Sequence, residues 1–244
     1  MKILYTVNLK KYDEFLPIDS NLTQGWRCLY FTDDPSETPD GWECIPVDLD
    51  QYPTLSTVEV AKMFKIQSSV WLPEHECSIY TDPNRKILRP IDEFEKFVED
   101  YCSGTDFLTH PHTRPAYADV YEEIRSCTWH KRDYLKNCHD KVDKQIQRYQ
   151  EEGIPSYIGL AIENGILYRR NTSRVKRICS FWWEEFLRFG LGRDQIPLRI
   201  ILHRLQDQLD IAPWPVVTHK KGIPSSSYFE YLPHKGANYK RCKK

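Results

Sequence analysis

Asp82 and Asn84 stand one residue apart, directly after the short apolar run Ser78-Ile79-Tyr80. A carboxylate and an amide oxygen at that spacing, at the C-terminal end of a strand, can face one Mg2+ or Mn2+. Hard cations take oxygen ligands and keep positions open for phosphate oxygens. Asp, Pro and Asn are also favoured turn formers, so Asp82-Pro83-Asn84 reads as a plain turn too, and spacing alone favours the turn.

Lys62 and Lys65 sit one helical turn apart ahead of that strand. Two ammonium groups so placed suit a diphosphate as point charges; the plainer alternative is a solvated helix face. His110-Pro-His112-Thr-Arg114 offers imidazoles and a guanidinium after another strand, and Arg114 suits a bidentate phosphate or carboxylate. In Gly192-Arg193-Asp194-Gln195, Asp194 is placed to cap a helix; it also suits hydrogen bonding to substrate hydroxyls or service as a base. His219 and His234, each followed by lysine, are late imidazoles able to return to the cation as a further ligand, or surface histidines.

These residues need strands and helices to bring them together. Strand patterns fall at residues 3–7, 26–31, 42–47, 78–80 and 107–109. Ser56 and Glu59 form a capping box. It opens a helix with Val58, Ala61, Phe64 and Trp71 near one face, ending before Pro73. A second helix starts at Pro90 with Phe94, Phe97, Val98 and Tyr101 at helical spacing. Residues 118–152 read as charged and helical, with Val142, Ile146 and Tyr149 as the apolar face. Residues 161–168 read as a hairpin turning at Asn164-Gly165, a pair suited to positive φ. Asn171-Thr-Ser opens a helix carrying Val175, Ile178, Cys179, Trp182 and Phe186, closed by Gly190; another follows Asp194. Segments 214–217 and 228–232 alternate weakly, as edge strands or extended chain. Strands alternating with helices predict an α/β layer with a mostly parallel sheet. In such sheets ligands bind beyond the C-terminal strand ends, where Asp33, Asp82 and His110 fall.

The bulk composition narrows the function classes. Across 244 residues, 34 Lys+Arg balance 35 Asp+Glu for a net charge of −1. That excludes a general nucleic-acid or anionic-membrane binder. No apolar run approaches the ~18 residues of a membrane span. The N-terminus is too short and too soon polar for a signal peptide and reads as a first strand. The 8 cysteines form no C-x-x-C pair, so reduced thiols and a cytoplasmic setting are expected. The sequons at Asn21 and Asn171 carry no meaning without secretion. With no repeat or linker, one domain over 1–244 is expected, its core at 3–205 and a tail at 206–244 closing over the site.

Taken in order, the motifs resemble the GT-A-like glycosyltransferases of the DUF616 group, to which the TOD1/MUCI70-like proteins belong. The matching residues are Tyr5-Thr-Val with Tyr12-Asp13, Phe31-Thr-Asp-Asp34-Pro35, and Ala61-Lys62 with Lys65. Ile79-Tyr-Thr-Asp82-Pro-Asn84, His110-Pro with Arg114, and Tyr121-Glu-Glu123 follow. Gly159-Leu with Glu163, Ile166-Leu and Arg169-Arg170, then Trp182 or Trp183 with Arg193-Asp194-Gln195, complete the series.

The resemblance implies a GT-A-like, Rossmann-type mixed sheet flanked by helices. It also implies transfer from a nucleotide-diphosphate sugar, UDP favoured, to a glycan or other hydroxyl acceptor. The nucleoside would lie near Tyr5, Thr6 and Asp33. Mn2+ or Mg2+ would bridge Asp82, with Asn84, to the diphosphate, sharing its charge with Lys62 or Lys65, and a late histidine, His219 or His234, would join it. Arg193, Asp194 and Gln195 resemble the element that retaining enzymes place beside the donor sugar. Asn84 departs from an aspartate in the pattern and removes one charge. Two alternatives remain: a metal-dependent nucleotide-sugar hydrolase, and a non-catalytic nucleotide- or sugar-binding module on the same fold.

Overall fold

The computed structural model describes residues 1–14, 16–102, 105–112, 115–129, 138–159, 161–205, 211–213, 218–220, 223–225 and 228–234. Its strands are β1 (Lys2–Asn8), β2 (Trp26–Thr32), β3 (Glu43–Pro46), β4 (Cys77–Thr81), β5 (Arg85–Ile87), β6 (Phe107–Pro111), β7 (Ile162–Arg170), β8 (Ile211–Pro213), β9 (Thr218–Lys220), β10 (Ile223–Ser225) and β11 (Phe229–Tyr231). Its α-helices are α1 (Thr57–Ile66), α2 (Ser68–Trp71), α3 (Ile91–Tyr101), α4 (Val120–Ser126), α5 (His139–Glu151), α6 (Ser173–Phe189) and α7 (Gln195–Arg204).

Seven strands form one sheet in the order β3-β2-β1-β4-β7-β6-β8. Every pairing is parallel except those of β7, which runs antiparallel between β4 and β6. This is the mixed, mostly parallel α/β sheet that the sequence predicts. Strand alternation sorts side chains between the two faces. Ile3, Tyr5, Val7, Tyr80, Phe107 and Leu167 pack with α1 and α6 in one core, around Phe64 and Trp182. Leu4, Ile79, Leu108 and Tyr168 pack on the other face with Phe94, Val98 and Phe229. A third cluster joins α4, α5 and α7 through Val120, Ile124, Val142, Tyr149, Ile196 and Ile200.

Two expectations need correction. The helix opened by the Ser56–Glu59 capping box, which is present, stops at Ile66 and resumes after Gln67 as α2. Its buried face is Val60, Met63 and Phe64, with Val58 and Ala61 only half-buried. The break is supported from below. Tyr5 Oη donates to the Lys65 carbonyl at 2.9 Å, and Arg169 donates to the Lys65 and Ile66 carbonyls at 3.0 Å each. Carbonyls that a continuing helix would use are satisfied by buried side chains instead.

The hairpin expected at Asn164-Gly165 is absent: β7 runs through both residues. Both its edges are paired, and the pairing with β6 jumps from Thr109↔Leu167 to His110↔Glu163. The Asn-Gly pair therefore makes a bulge rather than a turn, a place where an interior glycine also serves close approach. A Cβ on Gly165 would stand 2.5 Å from Arg85 Nη2.

In the tail, β11 is an edge strand, one of the two forms open to the alternation of 228–232. Segment 228–232 does not join the main sheet; β11 pairs antiparallel with β5, and β8 takes the edge beside β6. Segment 214–217 lies outside the described residues. In α6 the expected stripe is buried throughout, and Gly190 closes the helix at φ 58, the left-handed cap glycine favours.

Candidate functional site

β4 ends at Thr81, and the chain then turns at once. Asp82 N–H donates to the Gly165 carbonyl at 2.8 Å, and Arg85 N–H donates back to the Asp82 carbonyl at 3.0 Å. Asp82-Pro83-Asn84-Arg85 is thus a turn, and the turn is what presents the Asp82 carboxylate at the strand end. That side chain is 31% exposed and stands 3.6 Å from Lys65 Nζ. Tyr80 Oη donates to it at 2.8 Å. Burial pushes its carboxyl up, but Lys65, Lys62 and Arg85 outweigh burial and hold it below the usual carboxylate range.

α1 carries the two lysines to the same place. Lys62 Nζ donates to Asp194 Oδ1 at 2.7 Å, and Lys65 Nζ stands 2.8 Å from Asp194 Oδ2. Asn164 Nδ2, delivered by the β7 bulge, reaches Asp194 at 3.4 Å. Trp182 Nε1 donates to the Asp194 carbonyl at 2.8 Å and fixes the loop from the α6 side. Asp194 occupies the N-cap position of α7, but its side chain makes no capping bond. The capping role expected for it is therefore corrected: two ammonium groups claim the carboxylate. Burial alone would raise its carboxyl; Lys62 and Lys65 reverse the sign and hold it far below the ordinary range. A solvated helix face is likewise ruled out for Lys65, which is buried.

Asn84 points elsewhere. Its Nδ2 donates to the Leu232 carbonyl at 2.8 Å, and the Leu232 N–H returns a bond to the Asn84 carbonyl at 2.9 Å. Asn84 Nδ2 also stands 3.5 Å from His234 Nδ1. His234 Nδ1 in turn lies 2.9 and 2.8 Å from the two carboxylate oxygens of Asp13. A carboxylate only accepts, so Nδ1 carries the proton of that bond. Asp13 is buried and braced by Asn8, whose Nδ2 donates to the Asp13 carbonyl at 2.9 Å. Sequence reasoning gave Asp13 no site role; the Tyr12-Asp13 pair just after the first strand was the available signal.

The remaining expected residues scatter. Tyr5 is fully buried, its phenol committed to the Lys65 carbonyl and Arg169, so its expected place against a nucleoside is corrected. Thr6 faces the opposite way. Its buried Oγ1 makes no hydrogen bond among the described residues, and it lines a small pocket with Tyr30, Trp42, Asp82 and Arg85. Asp33 accepts from Lys10 N–H at 2.7 Å and lies 3.3 Å from Lys10 Nζ. It braces the loop after β1, where Lys10 and Lys11 both take φ 53. Arg193 turns from Asp194 to Glu123, at 3.6 Å, inside a buried group where Arg199 also holds Glu123 at 2.7 Å. Gln195 starts α7, half-buried. Arg114 and the side chain of His219 lie outside the described residues. His110 is buried in β6; burial, then Arg85, push its imidazole down to about 3.

Among the described residues no three His, Cys, Asp or Glu side chains gather as a metal cluster, and no helix is long and apolar enough to cross a membrane. What the strand ends do gather is paired lysines and carboxylates beyond a central parallel strand, where folds of this α/β class bind ligands. The TOD1/MUCI70 glycosyltransferase-like domain profile matches residues 37–221, and the chain belongs to that family. The matched span includes Lys62, Lys65, Asp82, Asn84 and Asp194. Among solved structures, the apo form of mouse xyloside xylosyltransferase 1 is similar at 11% identity and a TM-score of 0.46, over 87% of this chain and 85% of that one. No curated protein matches.

Proposed function

We propose that the protein is a glycosyltransferase that moves a sugar from a nucleotide-diphosphate sugar, with UDP favoured, to a glycan or other hydroxyl acceptor. The observation that carries this reading is the interlocked group Lys62, Lys65, Asp82 and Asp194 at the end of β4, in a chain of a glycosyltransferase-like family. Lysines so placed suit the charge that develops on a leaving diphosphate.

The donor set fits a hard cation in type. Asp82 offers a part-exposed carboxylate, and Asn84 Oδ1 is a buried carbonyl oxygen without a hydrogen bond among the described residues. His234 stands beside Asn84 with its Nδ1 held by Asp13, an arrangement that orients metal-binding imidazoles. Mn2+ or Mg2+ held there would supply charge stabilisation to the leaving group. The protein's own part is to set the spacing of Asp82 and Asp194 through Lys65 and to present Lys62 to the diphosphate. Asp194 with Gln195, at the start of α7, supports a retaining course.

A second reading is a non-catalytic nucleotide-binding module. It is favoured by the commitment of the Asn84 side chain to Leu232.

Calorimetry with UDP and GDP, with and without Mn2+ or Mg2+, tests the proposal. Metal-dependent binding that Asp82→Ala largely removes is expected; absent or metal-independent binding overturns it. A donor screen that scores free and transferred sugar separately then decides among transferase, hydrolase and binding module.

A further inference from the structure

The four interlocked charges are not equivalent. Lys65 is 3% exposed, and its ammonium lies 2.8 Å from Asp194, 3.6 Å from Asp82 and 4.8 Å from the centre of the Tyr80 ring. Its backbone carbonyl is held by Tyr5 and Arg169. Moving Lys65 would break its ion pairs with both carboxylates at once and leave Asp82 with no lysine in contact among the described residues. Lys62 is 23% exposed, and its one ion pair among the described residues is with Asp194 Oδ1. If Lys62 swings away, Asp194 keeps Lys65 and Asn164 on its other oxygen. Lys62 can therefore leave at the loss of one part-exposed ion pair, whereas Lys65 is buried and would break two.

We propose that Asp194 is an internal substitute for phosphate: it holds Lys62 while the site is empty of ligand, and a diphosphate displaces it. Lys65 stays behind as a positioning residue that spaces Asp194 from Asp82. This deepens the donor reading above and rests on it for the identity of the anion. It carries a distinctive sign. Asp194 competes with the ligand for Lys62, so removing the Asp194 charge should tighten anion binding, whereas a carboxylate that only organises the site should weaken binding when neutralised.

Titration with inorganic diphosphate, without metal or nucleoside, reads this directly. Asp194→Asn is expected to bind diphosphate about fivefold tighter than the wild type, the size of one part-exposed ion pair. Lys62→Met is expected to bind about tenfold more weakly, and the double variant no better than Lys62→Met alone. Unchanged, weaker or undetectable binding by Asp194→Asn overturns the proposal. Should Asp194→Asn fail to fold, Lys62→Met decides. Lost diphosphate affinity with little change in Tm supports displacement; a lowered Tm with unchanged affinity makes Lys62 a structural counter-ion and overturns it. UDP with Mn2+ is titrated in parallel. If UDP fails to bind while the diphosphate results hold, the donor assignment falls and the displacement stands.

Discussion

Lys65 and Asp194 form an ion pair at 2.8 Å with only 3% of either side chain exposed. Removing one partner leaves a buried charge with partial compensation, which costs far more than breaking a surface pair. Asp194→Ala is expected to lower unfolding stability by about 3 kcal/mol, read by urea denaturation, and Lys62→Ala by much less.

The same pair has an acid signature. The Asp194 carboxyl is depressed in the folded state, so its stabilisation is fully present above the unfolded carboxylate value of about 4. It declines as the pH falls below that value, because the unfolded chain then binds a proton the folded chain refuses. Stability measured from pH 5 to pH 2 should fall more gently in Asp194→Asn than in the wild type.

His110 imposes a second, milder pH dependence. Burial and the nearby Arg85 hold its imidazole near 3, against about 6.5 when unfolded. A lowered folded value means stability is intact above pH 6.5 and is lost on the way down. At pH 5 the expected loss relative to pH 7.5 is about 2 kcal/mol from this residue, and His110→Gln should remove it. A His110 ring that titrates in NMR between pH 5 and 7 would contradict this.

Gly165 and Arg85 should be coupled. A methyl group at Gly165 would meet Arg85 Nη2 at 2.5 Å, so Gly165→Ala is expected to cost about 1 kcal/mol through displacement of the guanidinium. In an Arg85→Ala background the same change should cost almost nothing, giving a double-mutant coupling of similar size.

Asn84→Asp, the change that restores an aspartate to the motif, is expected to loosen the C-terminal segment. The new carboxylate cannot donate to the Leu232 carbonyl, which now receives the Asn84 amide at 2.8 Å. Faster hydrogen exchange at Leu232 and along β11 is the readout. Unchanged exchange would mean the amide bond contributes nothing to docking residues 228–234.

Spacing and pattern made the strand ends legible, and with them Asp82, Lys62 and Lys65. They could not show which partners those charges choose. Lys62 meets Asp194 across 132 positions, and His234 meets Asp13 across 221. Such distances are set by topology and leave no local trace. Period two on β1 does leave a trace: adjacent residues such as Tyr5 and Thr6 point to opposite faces, so one pocket cannot take both. Asn164-Gly165 misled for a different reason. A backbone preference for sharp bending serves a hairpin or a bulge alike, and the paired strands on both sides decide between them.

The antiparallel strand at the middle of the sheet has a consequence for biosynthesis. β4 and β6 never pair with each other; β7 lies between them. A nascent chain that has not yet released residues 162–170 therefore exposes an open edge on each of two apolar strands, a template for unwanted pairing. β7, the strand that closes those edges, also carries Asn164, which reaches Asp194, and Arg169, which reaches the end of α1. One strand thus serves both the protection of those edges and the frame of the site.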